Sequence, residues 1–221
     1  MLALITDGYR LRKAGKLYEQ VEQALIGAGG RVKYLQLREQ VASEFPANDE
    51  ELEEIIPPLL ELCHQSGAKL ICNRNKRLVR TLNCDGLHVG APLSTILAAK
   101  AELESWQIVG YSAHSVAEAK EALNAGAHYV QLSPIFPPLS KSSNLSALGL
   151  SGLVELRAEL SSSNSTGEVL ALGGITAENA ASCRQAGADG LAVLSYVLLS
   201  NKPADAAKRL VESWAVAYDC N

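Results

Sequence analysis

The chain predicts an α/β fold, a single-domain (β/α)8 TIM barrel over residues 1–221, and three observations carry that expectation. Short apolar runs of strand length alternate with segments of helical period, and counting along the chain gives eight strands. The word Asp85-Gly-Leu-His-Val-Gly90 recurs in outline as Asp189-Gly-Leu-Ala-Val193, a faint internal repeat of helix, small-residue turn and buried strand. Two runs late in the chain end in small residues that open a new segment: 169–172 before Gly173-Gly174, and 190–193 before Leu194-Ser195. In a barrel the loops after strands seven and eight, with the N-terminus of a short extra helix, form the usual phosphate site.

Composition sets the bounds. At 221 residues and 48% hydrophobic content, the chain fits one barrel domain with a large core. A net charge of −4, with no Lys/Arg run interleaved with aromatics, argues against nucleic acid, so an anionic ligand has to be held locally. Residues 1–5 run into Thr6-Asp7 without a basic leader, and no stretch reaches membrane-spanning length, which predicts a cytoplasmic protein without membrane contact. The 5 cysteines (63, 72, 84, 183 and 220) show no C-x-x-C spacing and read as small core residues rather than metal ligands.

The elements follow in order. Residues 1–5 form the first strand, and the helical period of 17–28 ends at Gly29-Gly30. Residues 32–37 form the second strand, whose alternation puts Gln36 and Arg38 on one face and Leu35 and Leu37 on the other. A polar inward pair at a strand's C-terminal end suits the barrel mouth; an Arg38–Glu39 surface pair is the competing reading. Residues 49–66 read as a helix kinked at Pro57-Pro58, and 70–72 as the third strand, ending in the polar cluster Asn73-Arg74-Asn75-Lys76. A short helix then leads to the fourth strand at 85–90. Strand five at 107–111 precedes Ser112-Ala-His-Ser115, with Ser115 as N-cap of a helix over 116–125. Strand six at 129–132 opens the longest unpatterned segment, 133–146, the expected place for a lid or binding loop. Lys141, with Ser140 and Ser142 beside it, is the cation of that loop; closing on a bound anion and remaining a solvated loop lysine are its two readings. Thr176 caps the helix after strand seven, and 203–218 closes the barrel with the stripe Ala206, Ala207, Leu210, Val211 and Trp214.

Taken together, the words Leu4-Ile-Thr-Asp7, Gln36-Leu-Arg-Glu39, Asn73, Asp85-Gly-Leu-His-Val-Gly90, Gly110-Tyr-Ser-Ala-His114, Ser133-Pro-Ile-Phe-Pro137, Ser140-Lys141, Gly173-Gly-Ile175 and Ala192-Val-Leu-Ser195 resemble the thiamine phosphate synthase and thiazole tautomerase family over nearly the whole chain. The resemblance implies a transferase of thiamine biosynthesis that joins hydroxymethylpyrimidine diphosphate to a thiazole phosphate and releases pyrophosphate. It further implies that Gln36, Arg38, Asn73, Ser112 and Lys141 meet the pyrimidine and its diphosphate, with Ser112 and Lys141 as the catalytic pair. Arg74 and Ser140 join the substrate-binding set, and Gly173, Gly174, Leu194 and Ser195 would hold the thiazole phosphate. The expected partners are therefore small phosphorylated thiazole and pyrimidine ligands, with a homo-oligomer left open.

The chain departs from the resemblance at the metal. The synthases carry magnesium-binding aspartates where this chain has Arg74 and Leu93, so no protein metal ligand is assigned, and Mg2+ is a cofactor only if synthase activity is retained. The lysine expected two residues after Arg38 is Gln40, and the first threonine of the lid is Pro138. The tautomerase's catalytic histidine falls at Pro134, leaving His88 and His114 as the nearby imidazoles. Three functions follow: a synthase, a diverged tautomerase-like paralogue, and a non-catalytic phosphate-ligand binding or regulatory protein.

Overall fold

In a computed structural model, which describes residues 1–38, 48–137, 145–161 and 166–216, eight parallel strands close into a barrel in sequence order. The strands are β1 Leu2–Ile5, β2 Val32–Leu37, β3 Lys69–Asn73, β4 Gly86–Val89, β5 Ile108–Ala113, β6 Tyr129–Leu132, β7 Glu168–Leu172 and β8 Gly190–Val193. The helices are α1 Gly8–Lys13, α2 Leu17–Ala28, α3 Asp49–Gln65, α4 Lys76–Thr81, α5 Ser94–Glu102, α6 Val116–Asn124, α7 Gly149–Leu160, α8 Ala177–Gln185, α9 Ser195–Leu198 and α10 Pro203–Val216. The seam closes where Leu2, Ala3 and Leu4 of β1 pair with Leu191, Ala192 and Val193 of β8. Among the described residues no helix is long and apolar enough to cross a membrane.

Strand alternation divides the core in two. Leu2, Leu4, Leu35, Leu37, Leu70, Cys72, Val130 and Leu132 face the helices in the outer layer, while Ala3, Ile5, Tyr34, Ile71, Ile108, Tyr129, Leu170 and Ala192 fill the barrel. The rings of Tyr34 and Tyr129 stack at 4.7 Å between centroids, and a Cβ at Gly110 would stand 2.1 Å from Tyr129 Cζ. Glycine on β5 is therefore the space that one of the two rings occupies. Cys63, Cys72, Cys84 and Cys183 are free and buried, as expected of small core residues. Cys220 lies outside the described residues.

The repeated aspartate-glycine word has a physical cause at the N-terminal end of the barrel. Asp85 Oδ2 accepts the N–H of Leu70 at 2.8 Å, and Asp189 Oδ2 accepts the N–H of Val169 at 2.8 Å, each carboxylate closing the amide of the second residue of the preceding strand. His128 Nδ1 does the same for Val109 at 3.0 Å, so a third crossover uses an imidazole where the other two use a carboxylate. Below them, His64 Nε2 lies 3.0 Å from Asp85 Oδ2, and Arg157 pairs with Asp189.

Some boundaries differ from the sequence reading. The α3 helix runs unbroken through Pro57 and Pro58, started by a reciprocal cap in which Asn48 Oδ1 accepts from Glu51 N at 2.8 Å and Glu51 Oε2 accepts from Asn48 N at 3.2 Å. Strand five extends to Ala113, which brings Ser112 inside the sheet rather than after it. The helix α1 was not anticipated; Asp7 starts it by accepting the Arg10 N–H at 3.3 Å. Ser115 does cap α6, accepting from Glu118 N at 3.2 Å.

Candidate functional site

The inward positions change character along the barrel axis. The tyrosine layer gives way toward the strands' C-terminal ends to polar side chains, because Gln36, Asn73, His88, Ser112 and Gln131 each stand two positions after an inward residue of the previous layer. Gln131 Nε2 donates to Gln36 Oε1 at 2.7 Å, and Gln36 Nε2 donates to Asn73 Oδ1 at 3.0 Å. This three-amide chain links β6, β2 and β3 across the barrel. It leaves the Asn73 Nδ2 donors and the Gln131 Oε1 acceptor as its uncommitted ends.

His88 connects the two layers. Its Nδ1 is 3.0 Å from the Tyr129 hydroxyl and its Nε2 is 2.8 Å from Ser112 Oγ. Burial pushes its pKa down to about 3, with the charges of Arg74 and Arg38 adding to the effect, so the ring is neutral at physiological pH. A neutral imidazole donates from one nitrogen and accepts at the other, so the Tyr129 and Ser112 hydroxyls take complementary roles and the Ser112 oxygen is fixed in place. Ser112 itself is half-buried, open to a ligand from the mouth side.

Elsewhere around the mouth stand Gly173, Gly174, Leu194 and Ser195, after β7 and β8. Gly173 and Gly174 follow β7 with φ of +98° and +62°, and both are held under the segment after β6: Ile135 N donates to Leu172 O at 2.8 Å and Phe136 N to Gly173 O at 3.1 Å. A Cβ at Gly173 would come 2.8 Å from Pro134 Cα, and one at Gly174 would come 2.6 Å from Pro137 O. Only glycine meets both the conformation and the close approach. Asn179 of α8 clamps the turn, donating from Nδ2 to Gly174 O at 2.9 Å and accepting from Thr176 N at 2.9 Å. Leu194 and Ser195, both half-exposed, end β8 and begin the short helix α9, whose first N–H groups have no acceptor within the helix. Two sets of main-chain amides therefore converge beside one another, since β7 and β8 are hydrogen-bonded neighbours.

The rim above β2 and β3 is cationic. Arg38 is half-buried, with its backbone held to β1: its N–H donates to Thr6 Oγ1 at 2.9 Å, and Thr6 N donates to Gln36 O at 3.0 Å. Burial lowers its pKa, the Asp7 carboxylate opposes that, and the Arg74 charge adds to it, so the two guanidinium groups lie within electrostatic reach of each other. Arg74 is exposed, at a φ of +61°, with its N–H bonded to His88 O at 2.9 Å. Its Nη2 lies 3.3 Å from where a Cβ on Gly90 would stand, so the guanidinium reaches over the end of β4.

The donor set does not suit magnesium. Arg74 is a cation, and Leu93 lies at the start of α5, half-buried and packed against the outer core. Among the described residues no three His, Cys, Asp or Glu side chains gather in a way that would hold a metal ion. Asp7, the carboxylate beside Arg38, is 7% exposed and already engaged with Arg10, its Oδ1 capping α1 and its Oδ2 lying 3.5 Å from Arg10 Nε. A hard divalent cation needs several oxygen ligands, and among the described residues of this rim no such set is gathered.

The structure thus gathers Gln36, Arg38, Asn73, Arg74, Ser112, Gly173, Gly174, Leu194 and Ser195 at one mouth. Ser140 and Lys141, like Glu39, Gln40 and Pro138, lie outside the described residues. Pro134 is buried over Gly173, while His114 is exposed with Nδ1 3.0 Å from Ser133 O. Sequence reasoning missed Gln131, Tyr34 and Tyr129. Their signal was a second repeat: Tyr34-Leu-Gln-Leu37 returns as Tyr129-Val-Gln-Leu132, the two tyrosines stacked and the two glutamines bonded.

Comparison with known proteins points to one family. The family model described as thiamine monophosphate synthase matches residues 2–197. The thiamine-phosphate synthase of Chloroflexus aurantiacus is 34% identical over 209 residues, covering 95% of this chain and 90% of that protein. That of Desulfitobacterium hafniense (strain DSM 10664 / DCB-2) is 35% identical over 185 residues, 84% of each chain. The solved structure of thiamine phosphate pyrophosphorylase from Pyrococcus furiosus superposes with a TM-score of 0.78 at 26% identity, covering 98% of this chain and 96% of that one.

Proposed function

The chain belongs to the thiamine monophosphate synthase family, and from that premise we propose that it catalyses the coupling of hydroxymethylpyrimidine diphosphate to a thiazole phosphate. The ring nitrogen of the thiazole forms the new C–N bond to the pyrimidine's methylene carbon. The C–O bond to the diphosphate breaks, and its electron pair leaves with pyrophosphate. The observation that carries the proposal is the coexistence, at one mouth, of the glycine turn after β7 and the start of α9, the cationic rim of Arg38 and Arg74, the three-amide chain and the fixed Ser112 hydroxyl.

In this reading the main-chain amides after β7 and β8 hold the thiazole phosphate, and the Asn73 and Gln131 ends of the amide chain recognise the pyrimidine's nitrogen edge. Ser112, held by His88, donates to the departing diphosphate or to the pyrimidine beside it. The tautomerase alternative is weaker on chemical grounds. Pro134 carries no titratable group, and His88 is neutral with both nitrogens engaged. A purely binding role would leave the Ser112–His88 contact without a use.

The test mixes purified protein with both substrates and follows pyrophosphate and thiamine phosphate together across several magnesium concentrations, including none. Formation of both in equal amounts is expected. Absence of both at every magnesium concentration removes the transferase reading. Titration with thiazole phosphate alone then decides whether a binding function survives it.

A further inference from the structure

We infer that this protein holds the diphosphate end of its substrate with the guanidinium groups of Arg38 and Arg74 in place of a divalent cation, so that diphosphate recognition is metal-independent. The inference rests on the transferase reading for the identity of its ligand, and on the rim's own geometry for its chemistry.

Charge arithmetic comes first. Two carboxylates and one divalent cation sum to −2 + 2 = 0, whereas Arg74 and Leu93 sum to +1 + 0 = +1. Exchanging the resemblance's two aspartates for these residues therefore makes the metal-free rim more positive than a metal-loaded pair of carboxylates. A cation binding beside Arg74 would meet repulsion from it and from Arg38, and Asp7, the described carboxylate that acts on Arg38, is already engaged with Arg10.

Geometry comes second. Arg38 and Asn73 end adjacent strands, because Gln36 pairs with Ile71 and each named residue lies two positions on. Arg74 follows directly, turned by its left-handed backbone and laid over Gly90, whose lack of a side chain leaves room for it. A non-glycine residue in that conformation is disfavoured, and here the turn is held by the Arg74 N–H bonded to His88 O. Two like charges on one rim, neither in an ion pair with a described acid, are complementary to an anion carrying several charges. Each guanidinium offers a planar fork that matches two phosphate oxygens, and neither can be removed by a chelator or by deprotonation.

Isothermal titration of the whole chain with inorganic pyrophosphate tests this directly. Binding is expected in EDTA, with added magnesium strengthening it by no more than about threefold, and Arg74→Ala in EDTA weakening it by about tenfold or more. Because Arg74 is exposed, Arg74→Ala is expected to unfold at the wild-type temperature, which separates loss of a contact from loss of the fold. A second variant, Arg74→Asp with Leu93→Asp, is expected to lose binding in EDTA and to recover it with magnesium. Wild-type binding that appears only with magnesium, no binding in either condition, or an Arg74→Ala variant that binds as wild type in EDTA would overturn the inference. The transferase reading fails separately: pyrophosphate bound in EDTA with no thiamine phosphate formed defeats that reading and leaves the anion site standing. Turnover with strictly magnesium-dependent pyrophosphate binding does the reverse.

Discussion

Gly174 and Gly15 make a matched pair for testing the thiazole-phosphate cradle. Their φ angles are +62° and +65°, so replacing either by alanine imposes nearly the same backbone cost, about 1 kcal/mol. Their surroundings differ completely. A Cβ at Gly15 meets nothing within 4 Å, while one at Gly174 comes 2.6 Å from Pro137 O and 2.8 Å from Phe136 Cβ. Backbone cannot yield as a lysine tip can, so overpacking adds about 1–3 kcal/mol at Gly174. Gly15→Ala is therefore expected to lose about 1 kcal/mol and Gly174→Ala about 2–4 kcal/mol in total. For a chain of this size these losses correspond to roughly 2–4 °C and roughly 4–16 °C in melting temperature. Calorimetry reads the stabilities, and titration with thiazole phosphate reads the site. Gly15→Ala should bind as wild type, and Gly174→Ala about tenfold or more weaker, because relief of the clash moves the amide away from the anion. Equal destabilisation of the two variants would show that the crowding is not there, and wild-type affinity in Gly174→Ala would show that the phosphate binds elsewhere.

The remaining predictions concern the other half of the same pole, the barrel floor and pH. Ser195→Glu places a carboxylate at the start of α9; two unit charges about 4 Å apart repel by about 4 kcal/mol at an effective dielectric of 20. Half-exposure and salt reduce that, so thiazole phosphate affinity is expected to fall about tenfold, and equal binding by the variant removes the cradle from this corner. Asp85→Ala strips the Leu70 N–H of its acceptor at a buried position, which is expected to cost about 1–3 kcal/mol in urea unfolding. Thiazole phosphate affinity should hold in that variant, since Asp85 stands at the other end of the strands; a parallel loss of affinity would refute the separation of a stability face from a binding face. His88 titrates at about 3 when folded and about 6.5 when unfolded, so its contribution is fully present above about pH 6.5. As pH falls from there toward 3, the unfolded state binds the extra proton and stability drops by about 1.4 kcal/mol per pH unit from this group alone. In His88→Asn that part of the slope should vanish, as measured by the wild-type minus variant difference across a pH series, and an unchanged slope would mean that His88 is not buried as a neutral ring.

The barrel was legible because its determinants are local and repeated. Asp85 and Asp189 recur for the same reason, the need to close an amide near the start of the preceding strand, and the words they head could be matched without knowing any contact. His128 escaped that match, since an imidazole accepting through Nδ1 performs the carboxylate's task with a different residue type. Ends of elements were less legible. Residue patterning stopped β5 at Tyr111, yet pairing with β6 extends it to Ala113, a decision made by a neighbouring strand rather than by the residues of β5. In the candidate site, alternation singled out Gln36 and Arg38 and the polar cluster after β3 singled out Asn73, but Gln131 joins them only through its bond to Gln36, 95 positions away in sequence.

The two poles of the mouth differ in kind, and on the proposed reading that difference suits the reaction. Main-chain amides at Gly173 and Gly174 are fixed by backbone packing under Pro134 to Pro137, and those at Leu194 and Ser195 are set by the junction of β8 and α9; none of them titrates or swings as a side chain does. They suit the thiazole phosphate, a group that is chemically unchanged from substrate to product and has only to be held in register. The other pole is built from long side chains at a rim, Arg38 half-buried and Arg74 exposed, which can follow a diphosphate as it separates from carbon and then release it to water. Reversing the assignment would place the departing group in the rigid cradle, where the attraction that holds the leaving diphosphate would also retain pyrophosphate after reaction. It would leave the thiazole phosphate on mobile side chains that position a nucleophile poorly. A rigid pole for the group that stays and a mobile one for the group that leaves is the arrangement under which catalysis and product release do not oppose each other.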